Sequence, residues 1–313
     1  MSALRFSTSA ASLRFPSRFD PFLFSDDRHL RLQSGDQWHH VVALHKERDL
    51  ILGHFAFVMQ NGIALSPARA SFGVFQFDPG LSTADLVAFV QHIESFCLEL
   101  GARAIRLVCA PDLYQSRAAV RNTIFLSCGY RIADAATSCL ISTEVPFEEG
   151  LDTWERRKLR QAVQAGIDVR RVMGPEEEEV YRFIATCRAE RDQALSRNWE
   201  QLRTAADIFR QEFLFFAATL DETMVAASVA IRINTDVLYN FYSAHPRSQD
   251  ALSPVVLLMR ELHSHATQQK MRWLDLGTSS LNGMPNAALL DFKLRLGVTP
   301  SMKLTFEKSL TSA

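Results

Sequence analysis

The chain has 313 residues, of which 47% are hydrophobic and 22% charged, and its formal net charge is −1. This length allows two domains with separate cores, and the composition is that of an ordinary globular protein. The near-zero charge gives no overall electrostatic attraction for DNA or an anionic membrane, and no apolar run approaches the roughly 18 residues that could span a bilayer.

Five cysteines, Cys97, Cys109, Cys128, Cys139 and Cys187, are scattered along the chain without ligand-like spacing. Several of them lie in apolar strand or helix contexts, which argues against structural zinc. We therefore expect reduced core thiols, a cytoplasmic location and no metal site.

The first part of the chain predicts a short extension followed by one α/β unit. Residues 1–19 contain arginines, Ser and Thr but no acid, which is also typical of a transit peptide; we interpret them as a flexible N-terminal extension. The first unit, residues 20–147, is expected to contain strands at 38–44, 51–59, 71–77, 103–108 and 130–143 and helices at 83–100 and 114–127.

The second part predicts another unit of similar order, at residues 151–313, after a linker at 146–150. Its predicted helices lie at 153–165, 176–195, 200–210 and 253–269, and its predicted strands at 168–172, 213–220, 224–234, 237–244 and 272–276. The run of four Glu at 176–179 could be taken for a metal site, but carboxylates at a helix start favour a solvated face that complements the helix dipole.

An internal repeat links the two units. Stretches 66–145 and 236–311 share the order strand, short loop, helix, strand, so that Phe89 falls with Leu258 and Ile105 with Leu274. After a one-residue slip, Gly129 falls with Gly297. The period is too long for a solenoid and predicts two domains of one fold, each with a mixed sheet and helices.

Several segments in combination carry a family resemblance. They are the basic stretch 157–167, the segment YNFYSA at 239–244, Leu252-Ser253-Pro254, the run LDLGT at 274–278, and Phe292-Lys293 with Gly297. With the order of the elements, they resemble the GNAT acyltransferase fold in tandem, as in the FemAB-like branch. That branch includes aminoacyltransferases that build peptidoglycan cross-bridges and many bacterial N-acyltransferases.

The resemblance implies an N-acyltransferase whose second unit is catalytic. The implied donor is acetyl-coenzyme A or another acyl-coenzyme A, and the implied acceptor is an amine on a small molecule or a cell-wall precursor. An aminoacyl-tRNA donor, as in FemAB-type enzymes, is the alternative, but near-zero charge and the absence of a long helical insertion at 176–210 argue against a large RNA footprint. A decayed acyltransferase kept as a binding or scaffold protein is the third reading.

The loop expected to hold coenzyme A departs from the family pattern. GNAT enzymes usually place a Gly-rich loop before the helix, and its backbone N–H groups bind pyrophosphate. Residues 247–252 read Arg-Ser-Gln-Asp-Ala-Leu, with no Gly and with an Asp beside the phosphate position. This departure is what a decayed acyltransferase would also show.

The catalytic cleft is expected between residues 239–245 and 274–279. Tyr242 could act as a general acid or be a half-buried strand aromatic, and His245 could act as a base or be a loop residue. Asp275 could be a base or could anchor the following turn by hydrogen bonds. The resemblance implies that Lys293 holds phosphate or the developing oxyanion, so Lys293→Ala should lower activity and barely change folding.

Donor phosphates are expected at Arg247, Ser248 and Ser253 in the loop. Arg157 and Arg160 belong to a cluster of four cations with Arg156 and Lys158. Such a cluster is either a solvated helix face or a contact for phosphates of coenzyme A, a nucleotide-linked sugar or the acceptor end of tRNA.

Overall fold

The computed structural model describes residues 4–35, 37–281 and 283–310. They divide into two compact units, within Met1–Ala136 plus Ser301–Ala313 and within Thr137–Pro300. Each unit combines strands in parallel and antiparallel pairs with packed helices. The predicted fold class, a mixed α/β sheet in two tandem units, is therefore confirmed.

The elements are numbered in chain order. The strands are β1 (Leu4–Ser7), β2 (Trp38–His45), β3 (Ile51–Gln60), β4 (Ile63–Ser66), β5 (Val74–Phe77), β6 (Ala104–Val108), β7 (Arg131–Ser142), β8 (Asp168–Val172), β9 (Phe213–Leu220), β10 (Thr223–Arg232), β11 (Val237–Ala244), β12 (Trp273–Thr278), β13 (Ser280–Leu281), β14 (Met284–Pro285) and β15 (Thr299–Ser309). The helices are α1 (Asp27–Ser34), α2 (Thr83–Glu99), α3 (Ala118–Ser127), α4 (Phe147–Gly150), α5 (Thr153–Gln164), α6 (Pro175–Ala189), α7 (Trp199–Ile208), α8 (Pro254–Gln268) and α9 (Ala287–Arg295).

The unit boundaries differ from the predicted 20–147 and 151–313, because the closing strands cross over. The chain enters the second unit within β7, where Leu140 pairs with Asp275 of β12. It returns to the first unit at Ser301, and Phe306 of β15 pairs with Leu107 of β6. A repeat read along the sequence cannot show which sheet a closing strand completes.

The N-terminal segment is part of the first unit. Strand β1 pairs with β2 from Leu4↔His45 to Ser7↔Val42, and the ring of Phe6 stacks on His92 of α2 at 4.4 Å between centroids. The prediction of a flexible extension is therefore wrong for residues 4–19, while residues 1–3 lie outside the described part. Alternation within β1 explains the error, because Leu4 and Phe6 pack inward while Arg5 pairs outward with Asp49.

The core of the first unit forms between α2 and its sheet. The predicted stripe of α2 is buried, and Phe89 stacks on Phe75 at 5.6 Å between ring centroids. Ser82 caps the start of the helix by accepting the N–H of Asp85, and Gly101, with φ of +80°, follows its end. This helix therefore forms as its sequence period requires.

The central strand of the first unit is interrupted. Strands β4 and β5 pair with successive parts of β3, and the chain leaves the sheet between them at residues 67–73. The N–H of Gly73 donates to the carbonyl oxygen of Val108 at 2.8 Å, and the N–H of Val74 donates to Ser66 Oγ at 2.9 Å. The predicted strand at 71–77 accordingly begins only at Val74.

The second unit has strands in the order β7-β12-β11-β10-β9-β8, with helices on both faces. Helices α5 and α8 share a core with Leu214 and Phe216 of β9 and with Leu238 of β11. Phe215, which alternates with those β9 residues, instead meets Trp199 of α7 at 6.4 Å between ring centroids. Alternation along β9 thus separates the two helical layers.

Candidate active site

The pairing between strands β11 and β12 ends partway along β11. They run parallel, and the last of their pairs joins Tyr239 to Asp275; the described residues show no pair beyond it. Strand β11 also bulges, because its pairing with β10 skips Phe241. The backbone beyond Tyr239 is thus left without a strand partner on its β12 side, where the sequence predicted the cleft.

Two buried side chains of opposite charge hold the backbone where β12 leaves β11. Asp275 accepts the N–H of Gly277 at 2.7 Å and the hydroxyl of Ser138 at 2.9 Å. Lys293 donates from Nζ to the carbonyl oxygens of Gly277 and Thr278, each at 3.0 Å. Gly277 has φ of +73°, a left-handed conformation that favours glycine. Asp275 and Lys293 therefore fix both peptide groups of this residue.

These contacts bear on the predicted roles of both residues. Asp275, 2% exposed, has the geometry of the anchoring role, since its carboxylate is committed to the turn. Lys293 is 6% exposed and bonds two carbonyls, so we expect its loss to lower the stability of the fold, whereas the sequence suggested little effect on folding. The expectation from the sequence assumed a more exposed ammonium than the structure shows.

The surroundings of Lys293 are polar and buried. Burial lowers the pKa of Lys293, an effect that nearby Cys139 and Asp275 oppose. Burial raises the pKa of the Cys139 thiol. The Oγ of Ser279 is buried, and its interaction with the Cys139 thiol lowers the pKa of that thiol, against the effect of burial. The polar groups buried around Lys293 therefore interact with one another.

Tyr242 holds a loop. Its hydroxyl lies 2.6 Å from Ser196 Oγ and accepts the N–H of Arg197 at 3.2 Å. The same loop is bonded from the other side, because Tyr181 donates its hydroxyl to the carbonyl oxygen of Arg197 at 3.0 Å. Tyr242 is 6% exposed and lies next to the bulge, so it fixes the loop between α6 and α7 against β11.

His245 follows β11 and belongs to an ionic cluster. Its Nε2 lies 2.9 Å from Asp250 Oδ1, which also accepts from Arg191 at 2.9 Å. Burial lowers the pKa of His245, as does the charge of Arg191, while Asp250 opposes them. With Nε2 carrying the proton that Asp250 accepts, Nδ1 of the neutral ring is able to take up another proton.

The loop between β11 and α8 uses up many of its own amide groups. The N–H groups of Gln249, Asp250, Leu252 and Ser253 donate to carbonyl oxygens within the loop. The N–H of Arg247 donates to the carboxylate of Glu190 at 3.0 Å. These amides are therefore not available to a pyrophosphate, and two carboxylates, Glu190 and Asp250, lie beside them.

The predicted phosphate contacts in this loop differ in accessibility. Arg247 and Ser248 are exposed, whereas Ser253 is 4% exposed. Ser253 adopts φ of +52°, and its side chain does not cap α8. Of the three, the two exposed residues have side chains that a phosphate could reach from solvent.

Arg157 and Arg160 both lie exposed on α5, as predicted for this helix. The helix is anchored by Glu155, which is fully buried and pairs with Arg295 of α9 at 3.0 Å. The N–H of Asp152 donates to the carbonyl oxygen of Arg295 at 2.9 Å. The cationic face of α5 is therefore fixed next to the end of α9.

Arg188 of α6 is a site residue that the sequence reading missed. It donates to Gln193 Oε1 at 2.9 Å and, at 3.5 Å, towards the carbonyl oxygen of Ser243 in β11. Burial lowers its pKa, and the described residues offer it no carboxylate within ion-pair distance. In the sequence, Arg188 is marked only by its place near the end of a long helix. Nothing there distinguishes it from the surface arginines.

Within 4–35, 37–281 and 283–310, no group of three His, Cys, Asp or Glu side chains could hold a metal ion. In the same part of the chain, no helix is long and apolar enough to cross a membrane.

Comparison with known proteins finds one matching domain model and several structures of similar fold. Residues 153–293 match the model of the acetyltransferase (GNAT) domain. A search of curated proteins gave no significant match. Three solved structures are similar in fold, and all are distant in sequence. FemX is 12% identical with a TM-score of 0.72, covering 98% of this chain and 97% of FemX.

The other two structures are also similar over most of their length. A tandem GNAT protein from the clavulanic acid biosynthesis pathway is 13% identical with a TM-score of 0.55, and 99% of each chain is covered. L-PGS from Bacillus licheniformis is 10% identical with a TM-score of 0.56, covering 82% of this chain and 80% of L-PGS. The predicted resemblance and enzyme class, a GNAT-type acyltransferase, are thus confirmed. Residues 153–293 of the second unit thus match the GNAT acetyltransferase domain, and the whole chain is similar in fold to FemX and to the tandem GNAT protein.

Proposed function

We propose that the second unit transfers an acyl group from an activated donor to an amine, with acyl-coenzyme A as the first donor to test. The observation that carries this proposal is the end of pairing between β11 and β12 after Tyr239 and Asp275, beside the bulge at Phe241. In that gap, backbone N–H groups can bind the acyl carbonyl oxygen.

The reaction forms one C–N bond and breaks the C–S bond of a thioester. The neutral amine attacks the carbonyl carbon, the oxyanion accepts hydrogen bonds, and the thiolate leaves and takes up the proton that the amine loses. His245, whose pKa burial lowers, can take that proton from the amine at Nδ1 and pass it to the thiolate. Asp275 and Lys293 keep the backbone of Gly277 in place around the reaction.

The proposal is tested by incubating the chain with acetyl-coenzyme A or longer acyl-coenzyme A and a panel of amines. The panel should include small metabolites, amino sugars and cell-wall precursors. We expect thiol release that depends on the amine, together with an N-acylated product detected by mass spectrometry. No transfer from any coenzyme A donor would contradict the proposed donor.

A second donor is favoured by one observation. The amides of the loop before α8 are engaged, and Glu190 and Asp250 flank them, so the usual backbone site for the coenzyme A pyrophosphate is not formed. An aminoacyl-tRNA acting on a cell-wall precursor is the donor that needs no such site. Transfer from charged tRNA, without transfer from coenzyme A thioesters, would establish it; no transfer from either would favour the scaffold reading.

We also propose a cytoplasmic location. All five cysteines are free thiols, and Cys97, Cys109, Cys139 and Cys187 are buried. Thiols of this kind persist in a reducing compartment. Fractionation of cells that express the tagged chain would test the location directly.

A further inference from the structure

An exposed tryptophan lies beside the cations of α5. The side chain of Trp154 is 56% exposed, which is unusual for so large an apolar group. Lys158 follows one helical turn later, and its Nζ lies 5.8 Å from the centroid of the indole ring. Arg157 lies next to Lys158 on the exposed side of the helix. The surface thus combines one flat aromatic face with two cations.

These cations lack acidic partners. Among the described residues, neither Arg157 nor Lys158 has a carboxylate within ion-pair distance, whereas Arg182 of α6 pairs with Glu178 at 2.6 Å. The only acid of α5, Glu155, is fully buried against Arg295 and offers no charge to the surface. The face is therefore positive and is complementary to an anionic ligand.

The position of this face connects it to the proposed reaction. Helix α5 packs on α8, and its start is bonded to the end of α9, because the N–H of Asp152 donates to the carbonyl oxygen of Arg295 at 2.9 Å. Helix α8 begins at Pro254, directly after the loop between β11 and α8, so the packing of α5 on α8 places α5 in the same part of the second unit as that loop. That loop is where donor phosphates are expected, and its own amides are engaged.

We propose that Trp154, Arg157 and Lys158 form the binding surface for an adenosine phosphate at the end of the acyl donor. The inference rests on the proposed function for the choice of ligand. The purine stacks on the exposed indole, and the two side chains bind phosphates that the loop amides cannot bind. Both coenzyme A and the 3′ end of an aminoacyl-tRNA carry this chemistry.

The test is equilibrium binding by calorimetry to the full chain, without acceptor or turnover. The probes are adenosine 3′,5′-bisphosphate, coenzyme A, an RNA minihelix ending in CCA, and inorganic pyrophosphate. We expect Trp154→Ala to weaken binding of the adenosine probes about tenfold and to leave pyrophosphate binding unchanged, while Arg157→Ala weakens all of them. Trp154→Phe should restore most of the affinity. Arg171→Ala, which removes an exposed cation of β8, is the control and should bind like the unmodified chain.

The four probes distinguish coenzyme A from tRNA as the donor, and they distinguish a failure of the binding surface from a failure of the proposed function. Coenzyme A binding without minihelix binding identifies a thioester donor, and the reverse identifies tRNA; both support the surface. Unchanged adenosine affinity in Trp154→Ala overturns it, as does binding of the unmodified chain to anionic vesicles but to no adenosine probe. A chain that binds the probes through Trp154 but transfers no acyl group keeps the surface and refutes the proposed function. If the chain transfers acyl groups and the donor KM is unchanged in Trp154→Ala, the proposed function stands and the proposed binding surface is refuted.

Discussion

The central strands of the two units differ at one point. In the first unit the chain leaves the sheet after Ser66 and returns at Val74, whereas in the second unit β11 continues and carries a bulge at Phe241. The parallel pairing of this strand, with β6 in the first unit and with β12 in the second, extends to different points. It runs through Ser66↔Leu107 and is extended by the bond from Gly73 to Val108 in the first unit, but it ends at Tyr239↔Asp275 in the second.

This difference explains why one fold can serve two purposes. Backbone groups that are paired within a sheet cannot bind a carbonyl group of a substrate, because their hydrogen bonds are already made. The first unit keeps those bonds, so its sheet offers no gap at this position. The second unit lacks these bonds beyond Tyr239, and Asp275 and Lys293 hold the backbone of Gly277 where β12 leaves β11. This difference supports the proposal that the second unit carries out the reaction and that the first has a supporting role.

The largest effect is expected from a substitution at Gly73, where the chain of the first unit returns to the sheet beside Ser66. A Cβ on Gly73 would overlap the backbone of Ser66, which cannot move aside as a side chain can. We expect Gly73→Ala to lower the free energy of unfolding by about 3 kcal/mol, measured by thermal or urea unfolding. In the control Gly101→Ala, a Cβ would meet nothing within 4 Å, and only the positive φ should cost about 1 kcal/mol. Equal losses in the two variants would show that the closure is loose.

The next largest effect is expected from removing the hydrogen bonds of Lys293 to the backbone of Gly277 and Thr278 in the second unit. Lys293→Met leaves two buried carbonyl groups without their donor, so we expect a loss of about 1 to 3 kcal/mol in stability and a turnover about ten- to a hundredfold lower. Lys293→Arg should also impair turnover, because a planar fork does not replace a compact ammonium. Arg272→Met, at an exposed ion pair of 3.8 Å, should change stability by no more than about 0.5 kcal/mol. Normal turnover in Lys293→Met would remove Lys293 from the site.

A pH effect should report on a buried pair of histidines in the first unit. His40 Nδ1 lies 3.1 Å from His54 Nε2 in the first unit, and burial lowers the pKa of His54 from 6.5 to about 3. Because the unfolded chain binds the proton first, stability is fully present above pH 6.5 and falls as the pH decreases towards 3. The slope for one such group is at most about 1.4 kcal/mol per pH unit.

Unfolding at about pH 7.5 and about pH 5.5, on either side of the unfolded-state pKa, measures this slope. His54→Gln should flatten it, even if the variant is less stable at both pH values. A slope that is unchanged in His54→Gln would assign the acid sensitivity to other groups.

The smallest expected effect distinguishes anchoring from acid catalysis at Tyr242. Tyr242→Phe removes a hydroxyl that contacts Ser196 and Arg197, so we expect about 1 kcal/mol less stability and a turnover changed by less than about tenfold. Tyr181→Phe is a matched control, because its hydroxyl bonds the same loop through the carbonyl oxygen of Arg197. Similar effects of both variants indicate a shared loop role. A much larger loss of turnover in Tyr242→Phe alone, with an altered pH profile, would restore the general-acid role.

Much of the fold could be predicted because the repeated register reflects burial. Phe89 and Leu258 are each buried at matching places in α2 and α8, and Ile105 and Leu274 in β6 and β12. Gly129 and Gly297 both adopt positive φ before a closing strand. Helical and strand periods are local properties, so they survive in the sequence of a single chain.

The candidate site could be predicted only in position. The cleft between 239–245 and 274–279 follows from the repeat, and the observed end of pairing lies there. The contacts of Asp275 with Ser138 and of Tyr242 with Ser196 join residues that are 137 and 46 positions apart. Arg188 was missed for the same reason, since its burial depends on how α6 packs on β11.

The sequence by itself determined the periods, the order of elements, the tandem units and the place of the cleft, because each depends on residues that are near one another in the chain. Only the tertiary structure decided that β1 joins the sheet, that the closing strands cross between the units, and that Asp275 and Lys293 hold one glycine from two sides. The physical reason is that strand pairing and buried hydrogen bonds join distant segments. Local sequence does not encode which distant partner satisfies a given donor or acceptor.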